Sequence, residues 1–293
     1  MHARMPKNFV LEERLERFAD VIEVEPKRYA GRWIEACSPL GVGRAATDAG
    51  AAGVGVCDGA RFAFDRVSLD LGCGKGQYLV STAQRKPRTL FVGIDAEPVC
   101  VAYAAQHVME AGLRNVVVVP GTGHDVARIF GAGELSSITI NFPTPFPRKK
   151  EAEKRLTYLD ALVAYRVPLA PEGQLVMRTD SQPLRDFTLT QLELAGYRLL
   201  WLSDDVRADH PELAHTEYEE VLTQRGAAVL GIAAMPDPER APEPGTMPQQ
   251  TAELSLAAFL PGDLESLGYV PYGMEGCVLN LRNQRLRAQA RLP

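Results

Sequence analysis

Between residues 67 and about 235, seven short runs rich in β-branched residues are separated by stretches of helical spacing. The runs are VSLDL (67–71), TLFVGI (89–94), NVVVVP (115–120), SSITIN (136–141), GQLVMRT (173–179), YRLLWL (197–202) and AAVLGI (227–232). Candidate helices lie near 77–85, 97–112, 124–130, 151–166 and 183–195. A strand that returns through a helix to a neighbouring parallel strand does so in one hand, so this alternation predicts a mostly parallel sheet with helices on both faces. Ligands in such sheets sit beyond the carboxyl ends of the strands. Residues that carry chemistry should therefore stand just after a strand.

The flanks read differently. Residues 1–35 contain an amphipathic stripe, Leu11, Leu15, Phe18 and Val21–Ile22, expected as a helix laid on the core. A segment with six glycines follows at 41–60, read as a connecting loop. Five prolines between 236 and 248 make 236–250 an extended linker. The organisation expected is thus 1–64, a catalytic domain over 65–235, the linker, and a 251–293 extension. That extension ends with Arg282, Arg285, Arg287 and Arg291 and no acid among them, which suits a solvated helix first and a polyanion contact second.

Composition narrows the function classes. Five scattered cysteines without a CxxC exclude a disulfide scaffold or zinc ribbon, predict no metal, and fit a reducing cytoplasm. No apolar run is long enough to span a bilayer, and the N-terminus has no secretory core, so a cytoplasmic protein without membrane contact is expected. With a net charge of −5, any nucleic-acid site must be a local patch. His210, His215 and His107 complete no ligand set, Cys73 and Cys100 have no histidine near in sequence, and Trp33 and Trp201 read as core. Nothing in the sequence separates a monomer from a homodimer.

The first chemical motif is Asp70-Leu71-Gly72-Cys73-Gly74-Lys75-Gly76, at the end of the first strand of the alternation. Glycines there permit a tight turn and let backbone N–H groups approach a ligand. The next strand ends in Asp95, 23 residues beyond Gly72, where a carboxylate can accept from a ribose diol. The spacing is not that of a dinucleotide fold, and no Ser or Thr follows Lys75 to make a phosphate loop.

The second motif follows the fourth run: Asn141-Phe142-Pro143-Thr144-Pro145-Phe146-Pro147-Arg148-Lys149-Lys150. Three prolines stiffen the loop, and residues 148–155 carry five cations against two acids. Cations are poorly placed at a helix N-terminus, so an external anion explains them better.

The DxGxGxG loop with its downstream acid resembles the S-adenosylmethionine site of Rossmann-like class I methyltransferases. NFPTPFPRKKEAEKRLTY, followed in order by Arg178-Thr179-Asp180 and by Thr216-Glu217-Tyr218-Glu219, resembles the bacterial tRNA guanine-N7 methyltransferases over about residues 65 to 232. The resemblance implies a seven-stranded Rossmann-like fold, S-adenosylmethionine as cofactor and tRNA as partner. It assigns Asp70, Gly72, Gly74, Gly76, Asp95, Thr122 and Asn141 to the cofactor. It assigns Asp180 and Thr144 to catalysis, and Arg148, Lys149, Lys150, Lys154, Arg155, Thr179, Asp180, Thr216 and Glu219 to the substrate.

Guanine N7 already carries a lone pair, so the chemistry calls for alignment with the methyl donor and for carboxylates that favour the cationic ring. Departures from the family pattern fall on these points. Thr144 stands for a loop aspartate, Phe146 for tryptophan, Glu151 for histidine, and Gly121-Thr122-Gly123 where an Asp-Ala pair meets adenine, with Asp125 three residues on. They leave two alternatives: a same-lineage enzyme with another purine or RNA substrate, and a non-catalytic paralogue that binds RNA or a partner.

Overall fold

The computed structural model describes residues 9–36, 55–57, 60–62, 64–243, 245–265 and 267–289. The amphipathic N-terminal stretch forms α1 (Leu11–Arg17), after which Ile22 makes a single parallel bridge to Val118. Most of the glycine-rich segment lies outside the described residues. Its described part departs from the expected loop, because β1 (Gly55–Cys57) and β2 (Ala60–Phe62) pair as an antiparallel hairpin.

The main sheet follows the predicted runs. In chain order come β3 (Arg66–Leu71), α2 (Gln77–Arg85), β4 (Thr89–Asp95), α3 (Pro98–Glu110), β5 (Val116–Pro120), α4 (Val126–Ile129) and β6 (Leu135–Asn141). Then follow α5 (Leu159–Tyr165), β7 (Leu169–Thr179), α6 (Gln182–Leu194), β8 (Tyr197–Ser203), α7 (Val206–Asp209), α8 (Glu217–Gln224) and β9 (Leu230–Pro236). The strand order is β5-β4-β3-β6-β7-β9-β8, a Rossmann-like α/β sheet. β3 pairs in parallel with β4 and β6, and β4 with β5, whereas β8 and β9 are antiparallel. β3 is buried from Val67 to Leu71 and β5 from Val116 to Val119, as expected of strands covered on both faces.

The chain divides into two compact units, one comprising 1–141, 164–176 and 212–217, the other 142–163, 177–211 and 218–293. In the first, Leu79, Val101, Ala104, Ala105, Val108, Val116 and Val118 form a core with Phe18, Val21 and Ile22 from the N-terminal segment. In the second, Ala152, Tyr158, Leu184 and Phe187 enclose Leu256 and Met274 of the extension. The extension is therefore docked, with a 3-10 turn at Leu256–Phe259 and the helix α9 (Glu275–Gln289). Arg282 and Arg285 of α9 bond the carbonyls of Leu264 and Gly262, so they are spent within the extension.

Three expectations are corrected. The helix expected over 151–166 is a 3-10 turn, Lys149–Lys154, and α5 starts only at Leu159. Arg155 between them is extended, because its side chain turns back to bond loop carbonyls. The last strand begins at Leu230, not 227, since α8 and its turn, which the runs did not reveal, occupy the approach. Trp201, expected in the core, is only half-buried and stacks on His210, ring centroids 4.1 Å apart. Trp33 is fully buried, and its Nε1 donates to Ile129 O at 2.9 Å. Among the described residues no helix is long and apolar enough to cross a membrane, and no cluster of His, Cys, Asp and Glu could hold a metal.

Candidate active site

On the first unit the loop after β3 is built from backbone. Gly72, Gly74 and Gly76 all take positive φ, at 75°, 56° and 79°. The N–H groups of Gly72 and Cys73 both bond Ile94 O, at 2.8 and 3.0 Å, which folds the loop over the end of β4. A Cβ added at Gly76 would come 2.8 Å from Ala104 Cβ, so glycine there lets α3 close on the loop. At Gly74 the same test meets nothing within 4 Å. The loop thus opens on space that a ligand can approach without a side chain in the way.

Asp95 closes this loop. Its Oδ2 accepts from Gly74 N at 2.8 Å and its Oδ1 from Glu97 N at 2.9 Å. Burial pushes its carboxyl above the usual range, and the two backbone donors pull the other way. Each oxygen keeps a lone pair, which two ribose hydroxyls can use. Asp70 is buried and accepts from Asn141 Nδ2 at 3.3 Å, bringing two more of the expected cofactor residues together. His107 donates from Nδ1 to Lys75 O at 2.8 Å and so steadies the loop from α3. Cys73 is buried with its thiol pushed well up by desolvation, which makes it packing and not a nucleophile.

At the end of β5, the Asp125 Oδ2 accepts from both Thr122 N (3.1 Å) and Thr122 Oγ1 (2.9 Å). The capping box brings the carboxylate of Asp125 to the exposed Thr122. These residues fit S-adenosylmethionine: a side-chain-free cradle, a diol acceptor, and a carboxylate at the third strand's end.

On the second unit the loop after β6 is held by side chains. Phe142 and Phe146, either side of Pro143-Thr144-Pro145, both have positive φ, 49° and 45°. Bulky L-residues avoid this region, so the loop is strained and something must hold it. Phe142 N donates to Arg178 O at 2.8 Å, and its ring meets Tyr218 edge-on at 5.4 Å. Arg155 Nε donates to Pro145 O at 3.0 Å, its Nη2 donates to Phe146 O at 2.7 Å, and its guanidinium lies 4.2 Å from the Phe187 ring centroid. Arg155 is only 2% exposed, and desolvation pulls its pKa down to about 10. The expected phosphate contact at Arg155 is therefore wrong: this cation is a clamp for the loop.

Two more expected substrate residues are buried. Glu219 pairs with Arg178 at 3.1 Å and with Arg207 at 3.2 Å, tying α8 to the end of β7. Thr179 accepts from Ser181 N at 3.0 Å, while Ser181 caps α6 through Leu184 N. Both build the turn that carries Asp180 and do not reach outward. Thr216 is half-buried just before α8. Asp180 itself is half-buried, with Oδ2 accepting from Tyr269 Oη at 2.6 Å. Burial raises its pKa, with Tyr269 opposing and Glu275 reinforcing the rise. Thr144 at the loop tip is exposed, as are Arg148, Lys149, Lys150 and Lys154, the last pairing with Glu151 at 3.8 Å.

Sequence reasoning missed the clamp role of Arg155 and the whole contribution of Tyr269. The GYVPYGM stretch of the extension, aromatic and turn-rich, was the available signal for the second.

Comparison with known proteins agrees with this geometry. A family model described as "Putative methyltransferase" matches residues 65–231. A tRNA (guanine-N(7)-)-methyltransferase of Levilactobacillus brevis is 34% identical over 170 residues, covering 57% of this chain and 79% of that protein. A protein of the same name from Geobacillus kaustophilus is 31% identical over 173 residues, covering 59% and 80%. A third, from Lactococcus lactis subsp. cremoris, is 28% identical over 228 residues, covering 76% and 93%. On these matches, this chain belongs to the tRNA (guanine-N(7)-)-methyltransferase family.

Proposed function

We propose that this chain transfers the methyl group of S-adenosylmethionine to N7 of a guanine in the variable loop of tRNA. The observation that carries the reading is the half-buried Asp180 carboxylate, just past β7 and next in sequence but one to the buried Arg178–Glu219 pair, within a chain of this family. When bound, the cofactor supplies an electrophilic methyl on its sulfonium. Gly72, Gly74 and Gly76 would offer it a backbone cradle, Asp95 would accept from its ribose, and Thr122 with Asp125 would meet its base, with Asp70 and Asn141 bracing the loop.

N7 needs no general base, so the work left to the protein is orientation and charge. Asp180 would accept from the guanine donors and offset the positive charge that develops in the ring. Thr144 would add a neutral acceptor. Arg148, Lys149, Lys150 and Lys154, exposed on and beside the 3-10 turn, would meet phosphates, so affinity should fall with salt. A tRNA substrate is in keeping with a cytoplasmic reaction.

Methyl incorporation from labelled S-adenosylmethionine into tRNA lacking 7-methylguanosine, with the position mapped, tests the reading. Label at N7 of the variable-loop guanine is expected. Asp180→Ala should lower turnover by about 100- to 1000-fold, the usual loss when a transition-state electrostatic partner is removed, and leave cofactor affinity nearly intact. Label elsewhere, or full activity in that variant, would sink it.

A further inference from the structure

The family match ends at residue 231, yet the hydroxyl that bonds the Asp180 side chain comes from beyond it. The extension reaches this place by a defined route. Leu256 N donates to Pro147 O at 3.0 Å, and the Leu256 side chain is buried with Ala152, Leu184 and Phe187. Met274 is buried in the same cluster, and a Cβ at Gly273 would lie 3.3 Å from Pro145 Cγ. The segment is thus pinned to the proline loop at two points, with Tyr269 between them. Tyr269 Oη donates to Asp180 Oδ2 at 2.6 Å.

We propose that Tyr269 is a positioning residue of the substrate site, contributed by the extension, which fixes the Asp180 carboxylate by a neutral hydrogen bond and leaves its charge available to the purine. The inference rests on the reading of Asp180 as the acid that meets guanine. A lysine or arginine donor would orient the carboxylate equally well and cancel its charge. A phenol orients it and cancels nothing. Tyr269 engages Oδ2 and the Asp180 backbone N–H is a second donor to the carboxylate, so lone pairs remain that can accept from a planar donor edge. Thr144 brings no charge to the proline loop, which makes an ionised Asp180 the more important.

The surroundings make the phenol necessary. Desolvation and Glu275 both favour the protonated acid, whereas the Tyr269 bond favours the carboxylate. Asp180 and Glu275 both act on the Tyr218 phenol, which burial pushes up, and Arg225 acts on Tyr218 and Tyr269. Burial pushes the Tyr269 phenol up, so it stays a donor throughout the working range.

Transfer should require ionised Asp180, giving kcat/KM an acid limb, and removing the Tyr269 donor should move that limb upward. The test is the pH profile of kcat/KM for the full chain with tRNA lacking 7-methylguanosine, compared for wild type, Tyr269→Phe, Asp180→Asn and the double variant. Tyr269→Phe keeps the ring and its packing, so a purely structural role would leave the limb in place. We expect it to rise by about one pH unit, the size associated with removing one hydrogen bond from a charged group. We also expect Asp180→Asn to abolish the limb, and Tyr269→Phe to have no further effect in that background. If Asp180→Asn is inactive while Tyr269→Phe leaves the limb unmoved, or speeds transfer as removal of a plug would, the inference fails and the reading of Asp180 stands. If Asp180→Asn keeps wild-type turnover and limb, that reading fails and this inference with it.

Discussion

The loop after β3 and the loop after β6 both turn at the carboxyl end of a strand, and they are held by opposite means. The first uses three glycines that enter positive φ at little steric cost, with two backbone N–H groups on one carbonyl and one aspartate. The second forces two phenylalanines into the same region and restrains them with a buried arginine and a packed ring. A backbone cradle suits a ligand recognised in the same way wherever it occurs. A loop held by side chains from distant elements can be retuned by changing those side chains. In the resemblance read from the sequence, departures fall in this loop, at Thr144, Phe146 and Glu151, as well as at Gly121-Thr122-Gly123.

The largest effect is expected of Glu219→Ala. It removes the carboxylate that sits between Arg178 and Arg207, and loss of one partner from a buried pair costs about 3–5 kcal/mol. Urea unfolding should show that loss, and a change below about 1 kcal/mol, the size of an exposed pair, would mean the second unit does not depend on buried charge. Gly74→Ala probes the other loop. Its φ of 56° adds strain of about 1–2 kcal/mol, and its Cβ enters open space and not the core. Stability should fall modestly, while titration calorimetry with S-adenosylhomocysteine should find affinity at least about tenfold weaker, equivalent to about 1.4 kcal/mol. Affinity unchanged would show that the ligand does not rest on the cradle. The smallest effect belongs to Lys149→Ala with Lys150→Ala. The slope of log affinity for tRNA against log salt should flatten by about 0.7–0.9 for each phosphate no longer neutralised, and an unchanged slope would remove these lysines from the interface.

The same contrast explains what was legible beforehand. Strand positions from 66 to 203 could be read because β-branched runs and helical spacing are local, and Gly72, Gly74, Gly76 and Asp95 were legible because a tight turn needs glycine in sequence. Arg155 was not. A cation in a basic run looks solvated until Pro145, Phe146 and Phe187 are seen around it. Glu219 was misread for the same reason, since its arginine partners stand 41 and 12 residues away. Tyr269 lay beyond any motif, and only tertiary packing of the extension brings it to Asp180. Asp125 could be read as standing three residues beyond Thr122, and the capping box supplies the contact that brings its carboxylate to Thr122.

The bridge between Ile22 and Val118 has a consequence for solubility. β5 ends the sheet, and its four consecutive valines, flat and uncharged, are the kind of edge on which a second chain can add a strand. Glu23 N already occupies Val118 O at 2.8 Å, and Phe18, Val21 and Ile22 lie against the strand's core residues. The segment ahead of β3 therefore takes up a hydrogen-bonding position on the sheet's edge strand that a second chain would otherwise meet.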